Sequence, residues 1–235
     1  MVVEPPKTQI VGGISRSGWF RVLPFGLFMV LLGLRGAAAG LEGLPFDPRW
    51  FYALTVLLVG GLLYRWRHEY AELARGSWPS LPEFAEAVVV GLLVFVAWIH
   101  LDAPWMRLGS PTAAFTGLDA TGQVDLRWVA VRWVGAALVV PVMEELFWRS
   151  YLMRWLESPD FGNVDPRSVG WRAVSISTGV FMLAHTLWLA AIVAGLAYAW
   201  LYRRHGRLGA AVIAHAVTNG ALGLWVVAGG HWAFW

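Results

Sequence analysis

The decapeptide PVMEELFWRS, Pro141 to Ser150, places Glu144, Glu145 and Arg149 in one of the most apolar parts of the chain. It lies within an apolar stretch from Trp128 to Leu156. That stretch exceeds the roughly 20 residues that a helix needs to cross a bilayer. Charged side chains are expensive to bury in a membrane helix, and those found there are usually paired or functional. The stretch therefore predicts a transmembrane helix whose charged residues have a specific purpose.

The composition of the 235-residue chain indicates that lipid is its main solvent. Hydrophobic residues make up 58% and charged residues 14%, against about 45–50% and about 25% in soluble domains. This hydrophobicity excludes a disordered chain, and the sixteen Trp residues are typical of membrane interfaces. The absence of Cys excludes disulfides, thiolate metal sites and cysteine nucleophiles. The net charge of +3 does not indicate nucleic-acid binding, because the basic residues are scattered between apolar runs.

Seven long apolar stretches are candidate membrane spans. They are Phe20–Leu34, Trp50–Tyr64, Phe84–Leu101, Trp128–Leu156, Pro166–Trp188, Leu189–Tyr202 and Leu208–Val227. We therefore predict an all-α, polytopic transmembrane helix bundle of about seven (six to eight) spans. Residues 1–127 would provide an N-terminal cytoplasmic tail and three spans. Residues 128–235 would provide the catalytic core of the same membrane domain.

The boundary between the fifth and sixth stretches has two interpretations. Asp165 as N-cap and Pro166 at the first helical position predict the start of a fifth helix. Alternatively, Trp171–Tyr202 forms one long tilted helix.

The positions of the basic residues predict the orientation in the membrane. With seven spans and a cytoplasmic N-terminus, most of the eighteen Lys and Arg residues lie on the inner side. The loop Asp102–Asp125, with three Asp residues and one Arg, lies outside. No cleavable signal peptide is expected, because the first eighteen residues lack an apolar core. The expected location is therefore the cell membrane, most simply a bacterial inner or plasma membrane, as a multi-pass protein.

Six polar side chains inside the predicted spans are costly to bury: Glu144, Glu145, Arg149, His185, His215 and Asn219. At about 1.5 Å per residue, Glu145, His185 and Asn219 lie about 18–20 Å from the basic ends of their helices. His215 lies about 12 Å from its own helix end by the same measure. Groups on three helices therefore have similar depths, and we expect them to meet. Arg127, Arg132 and His100 lie near helix ends and are expected to snorkel.

Helical spacing predicts the directions of the acidic side chains. Glu145 and Arg149 are i,i+4 neighbours that can form an ion pair along one face. Glu144 points about 100° away, because 3.6 residues make a turn, and is free to face a cavity. Pro141 leaves the carbonyl of Ala137 without its helical donor, which favours a bend or a water-lined opening.

The histidines are predicted to present their side chains in the same region. His215 and Asn219 are i,i+4 neighbours, so both are expected to point to one spot. Phe181 and His185 share a face in the same way, with Trp188 one turn further. Any one of these groups alone would more often make an interhelical hydrogen bond. Their convergence favours a reactive or ion-handling site.

This set of groups suits hydrolysis of an amide by an activated water. A buried Glu can act as a general base, and an imidazole can share the water with it. A second His with an Asn can donate hydrogen bonds to a developing oxyanion. The motifs of other intramembrane proteases are missing, because the sequence contains neither HExxH nor GxGD and no convincing nucleophilic Ser.

The three motifs resemble those of the CPBP family of CAAX-prenyl-protease-type and bacteriocin-processing intramembrane proteases. They are Glu144-Glu145-x-x-x-Arg149, Phe181-x-x-x-His185 and His215-x-x-x-Asn219, within Trp128–Ala221. The resemblance implies that Glu144 and His185 activate water, that His215 and Asn219 bind the oxyanion, and that Arg149 is structural. The stretch EELFWRSYLMRW is most similar to members linked to bacterial exosortase systems. Many members have Gly where this chain has Ser150.

The predicted function is that of a glutamate-type intramembrane endopeptidase without a cofactor. Its expected partners are the lipid bilayer and a membrane protein or a lipidated or peptide substrate, with no nucleic acid; the oligomeric state is open. One alternative is a zinc metalloprotease with Glu144, His185 and His215 as ligands. Others are a proton-coupled transporter and a non-catalytic partner or immunity protein.

Overall fold

A computed structural model describes residues 10–11, 14–39, 46–109 and 115–235. Seven helices dominate the described part of the chain: α1 (Arg16–Ala39), α2 (Arg49–Arg65), α3 (Leu81–His100), α4 (Leu126–Met153), α5 (Trp171–Leu183), α6 (Trp188–His205) and α7 (Leu208–Gly229). A minimal antiparallel hairpin, β1 (Ile10–Val11) and β2 (Ile14–Ser15), precedes α1. The all-α prediction is therefore confirmed. The rest of the predicted N-terminal tail and residues 110–114 of the predicted outer loop lie outside the described residues.

Four of these helices are long and apolar enough to cross a membrane, namely α1, α3, α4 and α7. The helices α2, α5 and α6 have 17, 13 and 18 residues. Each of the seven helices coincides with one of the seven apolar stretches, but the number that span the membrane stays a prediction. The predicted boundary between residues 127 and 128 falls within the first turn of α4.

The helix α4 is interrupted by two wider, π-helical segments. It is α-helical over Leu126–Val134 and Val140–Glu145, and π-helical over Gly135–Val139 and Leu146–Met153. In the first π segment the Val140 N–H donates to the carbonyl of Gly135, five residues earlier. Segments of this kind occur frequently at functional sites. They bracket Glu144 and Glu145.

The helices α3 and α7 approach closely because small residues line their contact. A Cβ atom added at Gly91 would lie 2.4 Å from the carbonyl oxygen of Ala214, so only glycine fits there. Thr218 donates to the carbonyl of Gly91 at 2.8 Å across the same contact. Small residues and interhelical hydrogen bonds are the usual means of packing membrane helices. This contact fixes the position of α7, which carries His215.

The fifth helix begins later than predicted. Asp165 accepts a hydrogen bond from the Arg167 N–H at 2.9 Å, but this cap starts only the 3₁₀ turn Pro166–Ser168. The helix α5 starts at Trp171, after Gly170. The interpretation of Trp171–Tyr202 as one helix is also wrong, because α5 ends at Leu183 and α6 starts at Trp188.

A buried ion network joins α1, the segment 66–77 and α4. Arg21 donates to both carboxylate oxygens of Glu72, at 2.9 and 2.7 Å, and to the hydroxyl of Ser150 at 3.0 Å. Ser150 itself donates to Glu72, and Arg154 donates to Ser150 at 2.8 Å. Ser150 is therefore a hydrogen-bonded member of an interhelical network.

Candidate active site

Four of the predicted site residues line a single cavity in the bundle. Glu144 reaches it from α4, His185 from the segment between α5 and α6, and His215 and Asn219 from α7. The cavity has a volume of about 190 Å³ and is called the central cavity here. Its wall also includes Phe181, Tyr198, Thr218 and Arg132. The structure therefore brings together the groups that the three motifs supply.

Glu144 presents a free carboxylate oxygen in this region. The residue is 7% exposed, and its Oε2 atom has no hydrogen-bond partner within the described part of the protein. A buried polar atom without a partner is costly and calls for a specific explanation. A carboxylate aimed at a site for water or substrate provides one.

Glu145, the next residue, has charged partners on Oε1, while its Oε2 also lacks a hydrogen-bond partner among the described residues. Its Oε1 atom accepts hydrogen bonds from Arg149 Nη1 at 3.2 Å and lies 2.9 Å from His215 Nδ1. It is fully buried, and Arg149 is 2% exposed. Arg149 also donates to the carbonyl of Gly195 on α6 at 3.3 Å. The structure contains the expected ion pair and extends it to His215, which sequence spacing did not predict.

The ring of His215 is oriented by two neighbours. A carboxylate can only accept, so Nδ1 carries the proton that is shared with Glu145, and Nε2 is the remaining nitrogen. Tyr198 stacks on the ring with centroids 4.9 Å apart and an interplanar angle of 19°. The hydroxyl of Tyr198 donates to Thr218 at 2.8 Å, which holds the stacking partner in place.

Asn219 forms a hydrogen bond with a different group from the one that His215 contacts. Its Nδ2 atom donates to the carbonyl of Ala136 on α4 at 2.8 Å. In the π-helical register that carbonyl would accept from residue 141, and Pro141 has no N–H to donate. Pro141 therefore leaves the carbonyl of Ala136 without a backbone donor, whereas the α-helical spacing had predicted this for Ala137. His215 and Asn219 both line the central cavity, and Asn219 keeps a second amide N–H beside the one that it gives to Ala136.

His185 lies just beyond the end of α5. Its Nδ1 atom is 2.8 Å from the carbonyl of Phe181, so Nδ1 is the donor and Nε2 is the free nitrogen of the neutral ring. The rings of Phe181 and Trp98 contact it, with centroids at 4.3 and 5.7 Å. The segment that carries His185 is stabilised by the loop after α3, because the N–H of Leu108 donates to the carbonyl of Thr186 at 2.7 Å.

Trp188 does not lie with Phe181 and His185, contrary to the predicted shared face. The chain leaves the helical path at Ala184–Leu187, so the spacing of one turn no longer applies. Trp188 instead donates to the carbonyl of Trp105 at 3.1 Å. It is not part of the wall of the central cavity.

Two further side chains at the cavity were missed by sequence reasoning. Tyr198 has no local motif that could reveal it, since its contact with His215 depends on how α6 packs against α7. Arg132 was expected to snorkel, yet it lines the central cavity. The sequence does contain one indication for Arg132: no Asp or Glu stands three or four residues before or after it, so it has no ion-pair partner on its own helix.

The described residues contain no group of three or more His, Cys, Asp or Glu side chains placed to hold a metal ion. Both histidines have Nδ1 bonded within the protein and Nε2 as the nitrogen available for chemistry.

The comparisons with known proteins concern the part of the chain that carries the motifs. Residues 126–221 match the family described as type II CAAX prenyl endopeptidase Rce1-like. No match was found among curated proteins or among solved structures. The long apolar helices indicate a membrane protein, and the match over residues 126–221 is to a family of proteases. The match confirms the family resemblance predicted from the motifs.

Proposed function

We propose that the protein is an intramembrane endopeptidase that hydrolyses a peptide bond of a membrane-associated substrate with an activated water. The observation that carries this proposal is that Glu144, His185 and His215 line one cavity. Oε2 of Glu144 is buried and has no hydrogen-bond partner among the described residues. A general base must reach the proton that it removes, directly or through one water. The cavity volume of about 190 Å³ leaves room for water.

The proposed reaction assigns the water to Glu144 and His185. Glu144 takes a proton from the water while the water oxygen attacks the carbonyl carbon of the substrate. The resulting tetrahedral intermediate carries a negative oxygen. As the carbon–nitrogen bond breaks, the proton held by Glu144 passes to the leaving amine, either directly or through Nε2 of His185. Atoms and charge then balance, and Glu144 is again ionised.

His215 and Asn219 are proposed to stabilise the negative oxygen. His215 lines the cavity with Nδ1 bonded to Glu145, which leaves Nε2 to interact with the negative oxygen. Asn219 retains a second amide N–H beside the one that it gives to Ala136. Donors fixed in this way can stabilise an oxyanion without reorganising during the reaction. The buried pair of Glu145 and Arg149 acts indirectly, by orienting His215.

The first prediction concerns Glu144→Gln, which keeps the size of the side chain and removes the base. We expect cleavage to fall by about 10²- to 10⁴-fold, the usual contribution of a general base. The assay uses the protein in liposomes with a panel of single-span and lipidated peptides, and mass spectrometry detects the products. Glu69→Gln is the matched control, because Glu69 is exposed and lies on the segment 66–77.

Undiminished cleavage by Glu144→Gln would refute the proposal. A chelator arm separates the zinc-dependent alternative: loss of cleavage with chelator and recovery with Zn²⁺ would identify a metalloprotease. Cleavage that persists in chelator supports the cofactor-free mechanism. A transporter or a non-catalytic partner would show no product with any peptide of the panel.

A further inference from the structure

A second cavity adjoins the central cavity and is lined by basic side chains. It has a volume of about 280 Å³ and includes Arg107 and Arg132 in its wall. The two cavities share Trp98, Arg132, His185, Phe234 and Trp235. A ligand in the second cavity could therefore extend past His185 toward Glu144.

Arg132 is held in place by aromatic neighbours and has no acidic ion-pair partner among the described residues. Its guanidinium lies over the rings of Tyr52 and Trp235, at 4.7 and 5.8 Å from their centroids. Nη1 donates to the hydroxyl of Tyr52 at 2.9 Å, whereas Nε has no partner among the described residues. No ion pair joins Arg132 to an acid in the described part of the chain. Aromatic faces compensate a cation only in part, so a carboxylate from elsewhere would complete this site.

Arg35 lies within electrostatic range of Arg132. Arg107 on the second cavity is paired with Asp102 at 3.5 Å, and both side chains are largely exposed. Arginine binds carboxylates in a planar geometry with charge-assisted hydrogen bonds. The site is thus suited to an anion that enters with the substrate.

We propose that Arg132 binds a carboxylate of the substrate and so selects which peptide bond reaches Glu144; this inference rests on the proposed function. Arg132 and Glu144 both line the central cavity, so one bound peptide can reach both groups. The carboxylate recognised by Arg132 therefore lies within a few residues of the cleaved bond. It can be a side chain of Asp or Glu or the C-terminal carboxylate of the substrate.

The test measures binding in the Glu144→Gln background, so that cleavage does not interfere. Three dye-labelled apolar peptides are compared by fluorescence anisotropy on the full chain in neutral-lipid nanodiscs. One ends in a free carboxylate, one in a carboxamide, and one in a carboxamide with a single internal Glu. We expect at least one acidic peptide to bind roughly ten- to a hundredfold more tightly than the neutral one, as for a hydrogen bond between charged groups. Which acidic peptide binds identifies the source of the carboxylate.

Variants of Arg132 assign the preference to this residue. Arg132→Gln is expected to bind all three peptides equally, and Arg132→Lys to keep part of the preference. Arg127→Gln is the matched control, because Arg127 lies on the same helix with 90% of its side chain exposed. If Arg132→Gln does not fold, the parent protein and Arg132→Lys still decide the question.

Two results overturn the inference. Equal binding of the three peptides by the parent protein is one, and a preference that survives Arg132→Gln is the other. If Arg132 serves a lipid phosphate, phosphatidylglycerol will raise the melting temperature of the parent but not of Arg132→Gln, and the peptide preference will be absent. A peptide preference without cleavage by the active protein would contradict the proposed function alone. Cleavage without a preference would contradict only the role of Arg132.

Discussion

At the scale of single residues, the neighbouring Glu144 and Glu145 show how position alone separates two roles. Oε1 of Glu145 contacts Arg149 and His215, whereas Glu144 lines the central cavity, where the described residues form no hydrogen bond with its Oε2. The i,i+4 spacing was sufficient to predict the pair of Glu145 and Arg149. The contact with His215 could not be predicted, because it depends on the register between α4 and α7.

The second prediction compares the stability of Glu144→Gln and Glu145→Gln. Glu145→Gln leaves the buried charge of Arg149 without its partner and should destabilise the protein by about 3–5 kcal/mol. Glu144→Gln changes a carboxyl group whose Oε2 has no hydrogen-bond partner among the described residues, so stability should be unchanged or slightly higher. Thermal and denaturant unfolding in detergent measure both variants. Equal losses for the two would contradict the division of roles.

At the scale of elements, the interruption of α4 is compensated by a residue of another helix. Pro141 cannot donate, and Asn219 of α7 supplies a hydrogen bond to Ala136 instead. The apolar runs were sufficient to predict the seven helices, because long runs of this kind are their main signal. The π-helical segments and the break at Ala184–Leu187 could not be predicted, since they are stabilised by contacts with distant residues such as Leu108.

The third prediction is a double-mutant cycle between Pro141 and Asn219. Asn219→Ala leaves the Ala136 carbonyl unpaired and should destabilise the protein by about 1–3 kcal/mol. In the background of Pro141→Ala the backbone can supply its own N–H, so the same change should have a smaller effect. Unfolding free energies of the four proteins give the coupling. Additive effects would show that Asn219 does not replace the missing donor.

At the scale of the whole molecule, two polar assemblies organise an otherwise apolar bundle. One surrounds the central cavity. The other is the network of Arg21, Glu72, Ser150 and Arg154, whose two residues on α4 follow the Glu144–Arg149 motif. The sequence predicted the first, because its members follow helical spacing. It did not predict the second, because Arg21 and Glu72 lie far from Ser150 in the chain and meet only after folding.

The fourth prediction concerns acid stability through Glu72. Burial opposes ionisation of this carboxyl, but hydrogen bonds and charge from Arg21, with a hydrogen bond from Ser150, outweigh it and hold its pKa below the usual value of 4.5. A lowered pKa in the folded state stabilises the protein above the pKa of the unfolded chain, and this contribution is lost as the pH falls through the folded value. Glu72→Gln should therefore be less stable at pH 7, and its deficit should shrink below pH 4.5. Melting curves of the parent, Glu72→Gln and the neighbouring control Glu69→Gln test this; a deficit that does not depend on pH would contradict it.

The fifth prediction tests the orientation with a cytoplasmic N-terminus. The chain contains no Cys, so single cysteines can be introduced without background labelling. A cysteine at the exposed Gln123 should react with a membrane-impermeant maleimide on intact cells, and one at the exposed His68 should react only after lysis. The reverse pattern would show an inverted topology.

The hydrogen bond from Asn219 to Ala136 also restricts how the protein can admit a substrate. If α7 slid along α4 by one turn, a bare carbonyl would be left in an oily interior and His215 would be pulled away from Glu145. We therefore expect these two helices to move as a rigid pair. In the proposed reaction a peptide would then enter by displacing other walls, such as the segment Ala184–Leu187 or the aromatic residues near Trp235, and the same walls would move again to release the products.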